Sequence, residues 1–329
     1  MARAGLAHQL SRPGRAGRDA HRADRRARAR DRGADLSPIE LGIGLQSDKR
    51  PDDYADIARR AEAAGVDVVT VFHDLLYQPA IAPLLLIAQA TERVRVGPAA
   101  LNPYTLHPVE IAGQAAALDL VSRGRAFLGL SHGAWLDRLG LDQSRPVETM
   151  REAVEIVRRL FAGDRSGFRG TRFELAPGAG FEYEPARPRV PLMLGTWRPR
   201  MAALAAEVAD ELKIGGCANP AMVRLMREWI GRDDVGVVVG AVTVVDRDGE
   251  RARELVREKV AMYLDVVGDL DPTLASGERP LEKFVLAGTP AEVVAHVEEL
   301  AAAGLKRVEF GDPVGLDLLL AEVVPALRQ

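Results

Sequence analysis

Eight short apolar runs recur along this chain, each followed by a helical pattern, and that alternation limits the fold more than any other feature. The first run, "ELGIGL", precedes "PDDYADIARRAEAAG", which has Pro51 and two aspartates at its start and Gly65 past its end, the signals that open and close a helix. "VDVVTVF", "RVRVGPAA", "AFLGL", "PLMLG", "ELKIG", "VGVVVGAVTVV" and "RVEF" supply seven further strands. Periodicity predicts helices over residues 81–91, 109–121, 147–161, 200–208, 221–230, 250–264 and 291–303, with a closing helix over 316–327 and an ill-defined helical stretch near 265–281. Most of the strands are continuous apolar runs, so they are covered on both faces and pair in parallel. Eight such units close into an α/β fold, the (β/α)8 TIM barrel, with a doubly wound open sheet as the rival. The 329 residues suit one barrel of about 250 residues plus additions.

Two segments break the rhythm. Residues 1–37 hold ten arginines and four aspartates with almost no large apolar side chain. Such a composition cannot offset the entropy of ordering, so a disordered N-terminal extension is expected ahead of a barrel domain at 38–329. The Arg25-Arg26 pair is followed by more arginine, where an export signal would carry an apolar stretch. The second interruption, about 164–189, follows the fourth β/α unit; its "FRGTRFEL" predicts a hairpin, and its glycines and prolines an insertion or lid over the barrel mouth.

A net charge of −3 offers no electrostatic case for nucleic acid or a membrane surface. The longest apolar runs fall short of the ~20 residues that a spanning helix needs. A lone cysteine, Cys217, excludes an internal disulfide framework and fits a cytoplasmic location.

In such a barrel the chemistry sits at the carboxyl ends of the strands, and polar residues gather there. His73, Asp74 and Tyr77 follow the second strand, "LNPYTLHP" the third, Ser131, His132 and Trp135 the fourth, "GTWRPR" the fifth and "GGCANP" the sixth. Gly195 and Thr196, and likewise Gly215 and Gly216, lie between a strand and a helix, where free N–H groups and the helix dipole suit a phosphate; tight turns alone would also explain the glycines. His73, Asp74, His107 and His132 are candidate acids or bases, although loop histidines also cap and pack. No metal-ligand spacing, nucleophile elbow or Walker loop occurs.

The run "RVRVGPAALNPYTLHPVEIAGQAAALDLVSRGRAFLGLSHGAWLDRLGL", with "VADELKIGG" later, resembles the luciferase-like flavin-dependent oxidoreductases, nearest the branch that uses the deazaflavin coenzyme F-420 and includes methylenetetrahydromethanopterin reductase. The resemblance implies a bacterial-luciferase-like barrel, usually a homodimer, that transfers a hydride between coenzyme F-420 (8-hydroxy-5-deazaflavin) and an organic substrate. Other members imply two alternatives: an FMN-dependent monooxygenase and a flavin-binding protein without turnover. It also implies a non-prolyl cis peptide near Ala99 and Ala100 behind the cofactor ring, hydrogen bonds from Asn102 and Thr105, and phosphate contacts at Gly195, Thr196, Gly215 and Gly216. His73, Asp74 and His132 would then stand beside the ring, walled by Trp135 and Trp197. Two departures stand out. The chain reads "FHD" where deazaflavin dehydrogenases read "SDH", and Gly44, with neutral Gln46 beyond, occupies the place of an acidic residue late in strand one. Methylenetetrahydromethanopterin is therefore not the expected substrate.

Overall fold

A computed structural model describes residues 39–329, and Ile39–Gln329 form one compact unit. The expected disorder of residues 1–37 lies outside the described residues. Barrel strands β1 (Glu40–Leu45), β2 (Val68–Val71), β3 (Arg95–Pro98) and β4 (Leu128–Ser131) are followed by β7 (Leu192–Gly195), β8 (Glu211–Gly215), β9 (Gly236–Val245) and β11 (Arg307–Val314). They pair in parallel in the order β3-β2-β1-β11-β9-β8-β7-β4. Parallel bridges Val96–Ala126 and Leu101–Leu130 join β3 to β4, so the ring of eight closes and the open-sheet alternative falls.

Helices α1 (Pro51–Ala64), α2 (Ile81–Ala90), α3 (Pro108–Val121), α4 (Pro146–Phe161), α5 (Pro199–Val208), α6 (Pro220–Ile230), α7 (Gly249–Val267) and α8 (Pro290–Ala302) intervene. Six of these eight begin with proline at the first helical position, where its missing N–H costs nothing. The insertion contains the predicted hairpin, β5 (Phe168–Arg169) against β6 (Glu174–Leu175). No separate helix forms over 265–281: α7 runs on to Val267, and a loop follows to a short 3-10 turn at Leu281–Lys283. A short strand not anticipated from the sequence, β10 (Val285–Gly288), pairs with the second half of β9. The closing helix is broken by a π turn at Leu319–Val323, just before Pro325, which has no N–H to continue the ladder. Among the described residues no helix is long and apolar enough to cross a membrane.

The barrel interior departs from the usual layers of branched apolar side chains. Successive strand residues alternate faces, so Glu211 and Lys213 on β8, and Arg307 and Glu309 on β11, share the inward face. Arg307 Nη1 donates to Glu211 Oε1 at 2.8 Å, and its Nε and Nη2 donate to Glu309 Oε1 at 3.2 Å. Thr70 Oγ1 donates to Glu309 Oε2 at 3.1 Å, and the Lys213 ammonium donates to the same oxygen. Arg95, bonded to Glu40 and to Glu211, and Lys306, paired with Glu211, extend the chain towards the amino ends of the strands.

Burial alone would raise the Glu211 carboxyl, but Arg307, Arg95 and Lys306 hold it down at about 2, against an ordinary 4.5. Glu309 is lowered in the same way, its burial outweighed by Lys213 and Arg307. A carboxylate with a depressed folded-state pKa binds fewer protons than the unfolded chain does, so its stabilisation is present above the ordinary value and disappears as pH falls through the folded one. The thermal midpoint should therefore fall steeply from pH 4.5 towards pH 2. Circular dichroism melts across that window test this, and a midpoint unchanged down to pH 2.5 would rule out the network as the acid-labile element.

Candidate active site

A cavity of about 1120 Å³ opens at the carboxyl ends of the barrel strands. His73 and Asp74 after β2, Ala99 and Ala100 after β3, Ser131 to Ala134 after β4, Gly195 to Met201 after β7, and Gly215 at the end of β8 all line it. Of the residues expected at the site, His73, Asp74, His132, Ala99, Ala100, Gly195, Thr196 and Gly215 are thus brought together around one space. The Ala99-Ala100 peptide is cis, where the resemblance implies such a bond.

Asn102 and Thr105 are not on that lining. Asn102 Oδ1 accepts from the N–H groups of Tyr104 (3.1 Å) and Thr105 (2.9 Å) and from Thr105 Oγ1 (3.0 Å), so the two residues close their own loop. Asn102 is buried and Thr105 is exposed. His107 likewise serves as a helix cap, its Nδ1 accepting from Val109 N at 3.2 Å, while its ring meets Phe173 of the insertion edge-on. The polar crowding in "LNPYTLHP" therefore holds the loop behind Ala99 and Ala100 and starts α3.

His73 Nδ1 accepts from Ala80 N–H at 3.2 Å, so the neutral ring carries its proton on Nε2. Burial pushes its pKa below the usual value, against the raising effect of Asp74, and a proton on Nδ1 would face the Ala80 donor. Asp74 Oδ2 accepts from Tyr263 OH at 3.0 Å and from Gln46 Nε2 at 3.1 Å. Burial first, and then the Asp74 charge, raise the Tyr263 phenol well above its usual range, so it stays a donor. Tyr263 also packs on Trp135, ring centroids 5.6 Å apart. Trp135 itself is not on the cavity lining; Trp197 is, pinned by its indole N–H to Gly215 O at 2.9 Å. His132 rests on the Tyr104 ring at 4.8 Å.

The phosphate expectation changes in one respect. Thr196 N donates to Lys213 O at 2.9 Å and Gly216 N to Gly240 O at 2.6 Å, so strand pairing uses these N–H groups; Gly216 also lies off the lining. Free donors occur further on instead. The first turn of α5 has no side-chain cap, leaving the N–H groups of Arg200 and Met201 without a partner among the described residues, and both residues line the cavity. The exposed guanidinium groups of Arg198 and Arg200 have no ion pair among the described residues, whereas Arg145, also on the rim, pairs with Glu148. This side of the cavity suits an anion.

No residue of the insertion, 164–189, lines the cavity. Its turn is fastened to α4 instead, where Glu152 accepts from the N–H groups of Thr171 (2.7 Å), Arg172 (2.8 Å) and Phe173 (3.0 Å). Among the described residues there is no cluster of three or more metal-ligating side chains. Cys217 is buried off the lining, and burial pushes its thiol up to about 12, so it is no nucleophile. Sequence reasoning missed Lys213 at the cavity floor; the only signal was a lysine two residues after a glutamate inside an apolar strand.

Residues 34–307 match the luciferase-like monooxygenase family. Among curated relatives, the 5,10-methylenetetrahydromethanopterin reductase of Archaeoglobus fulgidus is 26% identical over 88% of this chain and 100% of the relative. The F420-dependent glucose-6-phosphate dehydrogenase of Microbacterium testaceum is 24% identical over 89% of this chain and 98% of the relative. The solved coenzyme F420-dependent tetrahydromethanopterin reductase of Methanopyrus kandleri superposes with a TM-score of 0.78 at 24% identity, over 88% of this chain and 100% of that one.

Proposed function

The chain belongs to the luciferase-like monooxygenase family, and we propose that within it this protein is an oxidoreductase that moves a hydride between coenzyme F-420 and an organic substrate. The observation that carries this reading is a single roomy cavity with small, apolar walls at one side and free anion donors at the other. That combination fits a planar ring joined to a phosphate-bearing chain. The name of the curated glucose-6-phosphate dehydrogenase relative, which is F420-dependent, supports the deazaflavin over a flavin.

In this reading Ala99 and Ala100 leave room for the ring face. Gly195, Thr196 and Gly215 shape the phosphate end, with the Arg200 and Met201 N–H groups and the Arg198 side chain as donors. The bound deazaflavin supplies the ring carbon that carries the hydride. The chain's own task is placement, exclusion of water and handling of one proton. His73 is suited to the last: it lines the cavity, and its Nδ1 accepts from Ala80, which leaves the proton of the neutral ring on Nε2. Asp74, with Tyr263 and Gln46, fixes the adjoining charge, and His132 stands on the loop after β4, two strands along the ring from β2. Asn102 and Thr105 support the ring wall through their loop. A cytoplasmic homodimer is part of the same proposal, and light scattering of the purified protein tests the dimer.

His73→Asn should leave the F-420 dissociation constant within about twofold and lower turnover roughly 100-fold or more in a screen of alcohol and carbonyl substrates followed by deazaflavin absorbance. Full turnover in the variant would remove His73 from the chemistry. The runner-up, a monooxygenase using reduced FMN, is favoured by the description of the family itself; oxygen uptake dependent on reduced FMN would select it. Binding without turnover across the screen would leave a flavin-binding protein.

A further inference from the structure

Of the charged side chains strung along the barrel axis, only Lys213 lines the cavity. Its Nζ donates to Glu309 and lies 5.4 Å from the centroid of the Phe72 ring. A Cβ at Gly240 would come within 2.8 Å of Lys213 Cε, so the glycine is what admits the side chain to this position. An ammonium carries three donors. One goes to Glu309, and no second acceptor is bonded to it among the described residues. The side chain is only 8% exposed, and it lines the cavity.

The surrounding charge is also unbalanced. Lys213, Arg307, Arg95 and Lys306 face three carboxylates, those of Glu309, Glu211 and Glu40, which leaves one positive charge in the chain that ends at the cavity floor. A largely buried cation with spare donors is stabilised most by an acceptor that carries negative charge.

We propose that Lys213 binds the acceptor edge of the ring cofactor and stabilises its reduced form as an anion, an inference that rests on the cofactor reading above. When a substrate alcohol is oxidised, its C–H bond breaks and the hydride, two electrons with one proton, passes to the ring. The hydroxyl proton leaves separately to a base, and the ring gains one negative charge. The remaining donors of Lys213 meet that charge.

The test uses the full chain carrying Lys213→Met and Lys213→Gln, with anaerobic titration of oxidised and reduced F-420 and FMN and a midpoint potential for the bound cofactor. Lys213→Met should weaken binding of the reduced form roughly 10- to 100-fold more than that of the oxidised form. For a two-electron couple this equals a potential lower by about 30–60 mV. Lys213→Gln, which keeps donors but loses the charge, should show most of the same shift. If Lys213→Met fails to fold because Glu309 loses its partner, Lys213→Met with Glu309→Gln removes both charges, and Arg307 keeps Glu211. Variants that bind both forms with the wild-type ratio and potential overturn the role of Lys213 alone. A wild-type protein that binds neither cofactor overturns the cofactor reading, and this inference with it.

Discussion

Replacing Glu309 with alanine should cost about 3–5 kcal/mol of unfolding free energy, because it strands the Lys213 cation in the barrel interior and takes one carboxylate from Arg307. Glu309 is fully buried and receives bonds from Lys213, Arg307 and Thr70 at once. Its removal leaves Lys213 with no carboxylate, while Arg307 retains Glu211 and, at 3.5 Å, Glu40. The corresponding fall in thermal midpoint is on the order of 10 °C. Glu309→Gln keeps an acceptor for Thr70 and Arg307 and should cost less. A urea denaturation series on both variants measures the difference, and a Glu309→Ala protein within about 1 kcal/mol of wild type would mean that water or rearranged side chains already solvate the network.

A second large effect is expected at Gly215, but on binding rather than on stability. This residue ends β8 on the cavity lining, and a Cβ built on it meets nothing within 4 Å. Gly215→Phe should therefore fold normally while its ring occupies space at the proposed phosphate end. Loss of cofactor affinity on the order of 100-fold or more follows, since a pocket buries most of its ligand's surface and offers no other place for it. Isothermal titration against wild type, together with an unchanged melting curve, checks both halves. Unaltered affinity in a folded variant would move the ligand away from this end of the cavity.

The parts of the fold that could be read from the chain are those whose cause is local. Continuous apolar runs such as "VDVVTVF" form barrel strands because burial on both faces leaves no polar alternative, and the prolines and glycines at helix ends mark the boundaries closely. "VLAG" escaped notice as β10: it is only four residues long, ends in glycine and follows a 3-10 turn, so it carries no strand pattern of its own. The site divides in the same way. The loops that line the cavity follow from the barrel rule, so His73, Asp74, His132 and the paired glycine loops could be listed in advance. The bonds those residues make could not. Asp74 finds Tyr263 189 positions away, and Lys213 finds Glu309 96 positions away. The alternation in "ELKIG" and "RVEF" puts the charges on one face of each strand, and only barrel closure shows that this face is inward and that they meet. Asn102 illustrates the opposite case: its turn with Tyr104 and Thr105 is local, and an asparagine followed by proline in a loop is a recognised sign of such a turn.

The most direct test is a titration of the purified chain with coenzyme F-420 and with FMN under matched conditions, followed by absorbance and fluorescence. Saturable binding of the deazaflavin, tighter than that of FMN and lost in Gly215→Phe, is the expected result. Preference for FMN would move the protein to the monooxygenase reading, and failure to bind either would contradict the assignment of the cavity as a cofactor site.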